Sequence, residues 1–158
     1  MVKCTFITLG ALKEDYLSRA VEEYKKRLSA FAEITEVNLK DEKLLTESDA
    51  EVASALEKEA DAILAKIPDG AYTVALCVEG KEHSSEAFAE LIGNACDTQG
   101  KLCFIIGSSY GLSPRVKQKA NARISFSKLT FPHGLMRVIL LEQVYRAFTI
   151  LKGKKYHK

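Results

Sequence analysis

Five short apolar runs alternate with helical patterns along this chain, and that alternation limits the fold more than any other feature. The runs are Lys3 to Leu9, Ile34 to Leu39, Tyr72 to Val78, Leu102 to Ile106 and Arg123 to Phe126. After the first run, Leu17, Ala20, Val21, Tyr24, Leu28 and Phe31 recur at helical spacing. Ile34 to Leu39 alternates apolar with polar residues, as a half-exposed strand does. Ser48 and Glu51 form a Ser-x-x-Glu capping box. The helix behind it turns Val52, Leu56, Ala60, Ile63, Leu64 and Ile67 inward. Pro68-Asp69-Gly70 reads as a turn. Ser84 or Ser85 caps a helix with Phe88, Leu91, Ile92 and Ala95 on its inner face. Ser113 caps a short helix with Pro114 at its first position. A long helix runs from about Leu135 to Leu151. The order predicts an α/β domain, a mostly parallel sheet with helices on both faces. The length suits a single domain over residues 1–158, with no repeat or linker.

The last helix is apolar nearly all round, from Leu135 and Met136 to Ile150 and Leu151. A surface helix needs only one apolar stripe. The pattern predicts a homodimer with this helix in the interface; a central helix in a monomer is the alternative. The start of the chain is too short and strand-like for a signal peptide, and no apolar run has the length of a membrane span. The expected location is cytoplasmic. Cys4, Cys77, Cys96 and Cys103 form no Cys-x-x-Cys pair, and His83, His133 and His157 lie far apart. No metal site is expected.

The net charge of +2 conceals an asymmetry. Residues 1–111 carry a net charge of −8, residues 112–158 one of +10, with Glu142 the single acid of the second segment. A basic segment of this kind is the electrostatic footprint of a polyanion partner.

Ligands of open parallel sheets sit beyond the carboxyl ends of the strands. The first strand ends at Gly10 without the Gly-x-Gly-x-x-Gly of a dinucleotide site, and no phosphate loop occurs elsewhere. Glycines and small residues gather instead after the last three strands, at Gly80, Gly107 to Gly111 and Ser125 to Gly134. Together they would form a pocket of backbone groups and apolar side chains, suited to a planar heterocycle. It suits a phosphate poorly, because Lys128 is the one cation in these loops. A nucleoside cofactor without phosphates is S-adenosylmethionine. Ordinary turns are the alternative.

IIGSSYGL, SFSKLTFPHGLMRVILLEQVYRAF and the terminal YHK resemble the ribosomal RNA large-subunit methyltransferase H family, of the SPOUT class. The similarity extends to FITLGALKEDY, EEYKKRL and KEADAILAKI and so covers essentially the whole chain. The resemblance implies a C-terminal trefoil knot, a rare exception to the usual topology rules. It implies a homodimer and S-adenosylmethionine as cofactor, bound in the knot. It implies methylation at N3 of a pseudouridine in 23S large-subunit ribosomal RNA, on the ribosome or a late large-subunit particle. The family's cofactor contacts fall on Leu76, Gly107 and the run Phe126, Ser127, Lys128, Leu129, Thr130 and Phe131. The family reads Ile-Gly-Gly where this chain has Ile106-Gly107-Ser108. A side chain at 108 crowds the cofactor if the backbone takes a positive φ there.

His133 and Arg137 are the catalytic candidates. His133 sits beside the cofactor loop at a helix start, where a base could take the N3 proton; capping or a phosphate contact is its other reading. Arg137, Arg146, Lys154, Lys155, Tyr156, His157 and Lys158 form the expected RNA-contact set, with Tyr156 available to stack on an unpaired base. Glu142 is a candidate partner of Arg137 or Arg146 across the dimer, and Arg146 also reads as a structural interface pair. The competing function is a non-catalytic ribosome- or RNA-binding factor of the same fold.

Overall fold

Neighbouring side chains of a strand point to opposite faces of a sheet. A strand buried on both faces therefore feeds two cores. The computed structural model, which describes residues 1–158, shows this clearly. Its elements are β1 (Val2–Leu9), α1 (Asp15–Leu28), β2 (Ala32–Leu39), α2 (Asp49–Leu64), β3 (Tyr72–Glu82), α3 (Ser85–Gln99), β4 (Lys101–Ile106), α4 (Pro114–Lys119), β5 (Ala122–Ser125) and α5 (His133–Leu151). All strand pairs are parallel, in the order β2-β1-β4-β3-β5.

Cys4 and Phe6 of β1, Val74 and Leu76 of β3, and Leu102, Phe104 and Ile106 of β4 face one side. There they meet Val21 and Leu28 of α1, Phe88 and Ile92 of α3, and Leu140, Val144 and Phe148 of α5. Ile7, Leu9, Ala75, Cys103 and Ile105 face the other side, against Ala60 and Ile63 of α2 and Val116 of α4. The rings of Phe6 and Phe104 stack at 5.2 Å in the centre of the sheet. Burying each such side chain stabilises the fold by roughly 1.5–3 kcal/mol. The expected parallel sheet with helices on both faces is what forms.

Four details depart from the sequence reading. The inner face of α2 is Ala55, Glu59, Ala60 and Ile63, while Val52 and Leu56 are only half-buried. In the capping box, the Ser48 hydroxyl accepts from the Glu51 N–H, but Glu51 accepts from the Thr46 N–H instead of reaching back to Ser48. Strand β3 runs on to Glu82, with an irregularity between Leu76 and Lys81 where it pairs with β5. Gly80 permits this, because a Cβ there would lie 2.6 Å from the Ile124 carbonyl carbon. Finally, α5 packs against both α1 and α3 as well as the sheet. Phe148 stacks on Phe31, and Tyr145 leans on Tyr24 and Phe31. Much of the apolar character of α5 is therefore used inside one chain, and its pattern alone does not require a second subunit. No helix is long and apolar enough to cross a membrane.

Candidate active site

The chain leaves β3 through α3 on one face of the sheet and leaves β4 through α4 on the other. Connections that diverge this way open a crevice at the carboxyl ends of the two strands. A cavity of about 600 Å³ lies there, within the usual range for a small-molecule site. It is lined by the end of β3 from Leu76 to Glu79, by Ile106 to Leu112, and by the β5–α5 segment including Phe126, Ser127, Leu129, Thr130, Phe131 and His133. Two of the three segments singled out in the sequence, Gly107 to Gly111 and Ser125 to His133, line one pocket, while its third wall is Leu76 to Glu79 within β3 and Gly80 itself does not line it.

Local chemistry shapes each wall. Gly107 is packed so closely that a Cβ would sit 2.3 Å from the Gly111 carbonyl oxygen. Gly111 turns the chain at φ +90° and donates its N–H to the Ser108 carbonyl at 2.9 Å. Ser108 itself has no positive φ. Its hydroxyl donates to Oε1 of Glu59 at 2.9 Å, and Oε2 of Glu59 accepts the Glu42 N–H at 3.0 Å. The side chain that could have crowded the slot is thus engaged by a carboxylate only 4% exposed on α2. Sequence reasoning missed Glu59, although its spacing from Ala55 and Ile63 places it on the buried face. Ser113 donates to Glu57 at 2.6 Å, and Arg115 is paired with Glu57 and Asp61, which locks α4 onto α2. Across the slot, Ser125 donates to the Ser127 carbonyl, and the Ser127 hydroxyl accepts the Leu129 N–H, folding the β5–α5 segment.

Charge in the pocket differs from expectation. Lys128 is exposed and does not line it. Lys117 and Glu79 do line it, and they form an ion pair. The hydrogen bond from Lys117 holds the Glu79 carboxyl below the usual carboxylate range. Cys77 lines the wall half-buried, its thiol pushed up by burial. No three metal-ligating side chains come together.

His133 opens α5 and lines the pocket. Pro132, not His133, occupies the cap position, and no side chain caps the helix. The Nε2 of His133 and the Asp41 carboxylate each lie beside Gly10, and the His133 Nδ1 is buried without a partner. Burial and then the nearby Arg137 lower its pKa, with Asp41 acting in the opposite direction.

Arg137 stands apart from the pocket. It is 6% exposed and does not line the pocket. Its Nη2 donates to the carbonyls of Leu9 at 2.8 Å and Gly10 at 2.6 Å. Through Nη2 the guanidinium clamps the end of β1 to α5, while its Nε is buried without a partner.

Arg146 and the tail also differ from an open RNA-binding strand. Arg146 donates to Glu142 and lies 4.9 Å from the Tyr156 ring centre. Gly153 turns the chain at φ +65° and brings the tail back onto α5. The Tyr156 hydroxyl donates to Glu142 at 3.1 Å, its ring meets Tyr145 edge-on, and its pKa is pushed up to about 12 by burial and by Glu142. His157 lies between Arg146 and Glu86. Tyr156 is thus packed against its own chain, and stacking on a base requires the tail to undock. Lys154, Lys155 and Lys158 remain exposed, and none of the tail lines the pocket.

Comparison with known proteins agrees with this architecture. Residues 2–157 match the family described as "Predicted SPOUT methyltransferase". Ribosomal RNA large subunit methyltransferase H of Listeria monocytogenes is 52% identical over 154 residues, covering 96% of this chain and 97% of the relative. The protein of the same name from Bacillus pumilus is 48% identical over 158 residues, covering 98% of each. That from Exiguobacterium sibiricum is 48% identical over 159 residues, covering 99% and 100%. Family membership implies the C-terminal trefoil knot. With its parallel sheet, its three-walled crevice and a match over nearly its full length, the chain belongs to the SPOUT methyltransferase family.

Proposed function

We propose that this protein is an S-adenosylmethionine-dependent methyltransferase acting at N3 of a pseudouridine in 23S ribosomal RNA, on the ribosome or a late large-subunit particle. One observation carries the reading: a stretch of β3 and the segments after β4 and β5, distant in sequence, meet in a single cavity of about 600 Å³ whose walls are largely backbone and apolar side chains. The names of the relatives support the ribosomal RNA substrate. The positive charge of residues 112–158 supports a polyanion partner.

Leu76, Gly107 and the segment Phe126, Ser127, Leu129, Thr130 and Phe131 would hold the cofactor; Lys128, the remaining residue of that run, is exposed outside the cavity. The cofactor supplies a methyl group already activated on a sulfonium. The protein's task is alignment, which lowers a barrier by several kcal/mol when geometry is fixed in advance. His133, neutral because burial lowers its pKa, takes the N3 proton as the nucleophile forms. Asp41 steadies the resulting imidazolium. Arg146 and the exposed Lys154, Lys155 and Lys158, with Tyr156 and His157 once undocked, meet the RNA.

A homodimer fits the same picture. Val78 and Leu129 line the pocket yet are 53% and 73% exposed, and Leu135 of α5 is 38% exposed. Apolar surface gathered at a site marks an interface, and light scattering at micromolar concentration measures the mass. Calorimetry with S-adenosylmethionine and mass spectrometry of the ribosomal RNA from a strain lacking the protein test the whole reading. Stoichiometric binding and loss of one methylated pseudouridine are expected. Absence of binding with unchanged methylation refutes it.

A further inference from the structure

Only two formally charged side chains line the pocket, Glu79 at the end of β3 and Lys117 on α4, and they pair with each other. Both are held in place. Gly80, next to Glu79, lies so close to the backbone of Arg123 and Ile124 that no Cβ fits there, which fixes the backbone beside Glu79. Helix α4 is pinned to α2 through Ser113 and Arg115. Lys117 is 25% exposed at its side chain and Glu79 60%, so the pair stands at the pocket's rim and not in its depth. An exposed ion pair contributes little to stability, about 0–1 kcal/mol. Its placement at the mouth of an otherwise uncharged slot calls for another account.

The cofactor of the proposed function has a chemical mismatch with such a slot. Its nucleoside half suits backbone and apolar walls, but its other half is an α-amino acid, with an ammonium and a carboxylate. The remaining lining offers hydroxyl and backbone groups but no formal charge to either end. We propose that Glu79 and Lys117 receive this zwitterionic end, Glu79 accepting from the α-ammonium and Lys117 donating to the α-carboxylate. The two side chains exchange their mutual pair for two ligand pairs. Four charges then alternate in sign, and no net charge enters the pocket. In the free protein the hydrogen bond from Lys117 holds the Glu79 carboxyl below the usual carboxylate range. The inference rests on the methyl-donor reading above.

Calorimetry with two probes separates the two. S-adenosylhomocysteine has both halves; 5′-methylthioadenosine has the nucleoside without the amino acid. The expected order is tighter binding of S-adenosylhomocysteine by the wild-type protein. Lys117→Met and Glu79→Gln each weaken it by about tenfold, as loss of one charged hydrogen bond does, and leave 5′-methylthioadenosine within twofold. A Glu79→Lys variant combined with Lys117→Glu restores the ion pair but reverses its sense. It melts like the wild type yet binds S-adenosylhomocysteine as weakly as the single variants. Equal effects on both probes, no effect on either, or full recovery in the reversed pair overturns the inference and leaves the donor reading standing. A wild-type protein that binds neither probe overturns the donor reading and this inference together.

Discussion

Replacing Arg137 with methionine keeps the volume of the side chain and removes its charge. In the fold, Nη2 donates to the carbonyls of Leu9 and Gly10. Hydrogen bonds to a charged group stabilise by about 1.5–3 kcal/mol each. The Gly10 oxygen keeps a second donor, Nδ2 of Asn38 at 2.8 Å, so the uncompensated loss falls mainly on Leu9. Removing a buried cation also recovers part of its desolvation cost. The net expectation is a loss of about 2–4 kcal/mol. At about 2–4 °C per kcal/mol for a domain of this size, the melting temperature falls by roughly 5–15 °C. Arg137→Lys restores one donor without the fork and lies between the two. Circular dichroism melts measure the stability, and RNA binding titrated against salt measures the phosphate contacts. Removal of a phosphate contact lowers the salt slope by about one; removal of an internal clamp leaves it unchanged. A melting temperature within 2 °C of the wild type together with a reduced slope would refute the clamp.

Gly107→Ala forces a Cβ against the Gly111 carbonyl. It is expected to abolish cofactor binding by calorimetry and to cost about 1–3 kcal/mol in stability; wild-type affinity would show that the loop yields. Ser108→Ala removes one donor from the buried Glu59 carboxylate, with an expected loss of about 1–2 kcal/mol. Introduced into a Glu59→Gln background the same change should cost less, and equal costs in both backgrounds would dissociate the two residues. Burial lowers the His133 pKa from 6.5, so the unfolded chain binds the proton more readily. Its contribution is fully present above pH 6.5 and is lost as the pH falls toward the folded value. The wild type is therefore expected to lose more stability than His133→Gln between pH 7 and pH 5; parallel curves in chemical denaturation would contradict this.

Strands β1 and β4 were legible because a short apolar run is a local property of the chain. Ser84, Ser113 and Pro114 stand at the helix starts expected of them, since caps depend on a few adjacent residues. The pocket was legible for a related reason. In a parallel sheet the carboxyl ends of strands lie at one edge, so the segments after β4 and β5 meet there beside β3. Glu59 escaped notice because a single acid within an apolar face has no signature until its donors, Ser108 and the Glu42 N–H, are brought to it from distant loops.

Periodicity and punctuation in the chain alone decided the class of the sheet, the layers upon it and the neighbourhood of the site, because these follow from the directions of adjacent side chains. Tertiary structure alone decided what each charge does. Arg137 became an internal clamp, Lys128 turned outward, Lys117 met Glu79, and Tyr156 docked beside Glu142. A charged side chain takes its role from partners that lie far along the chain, and only folding determines which of them it meets.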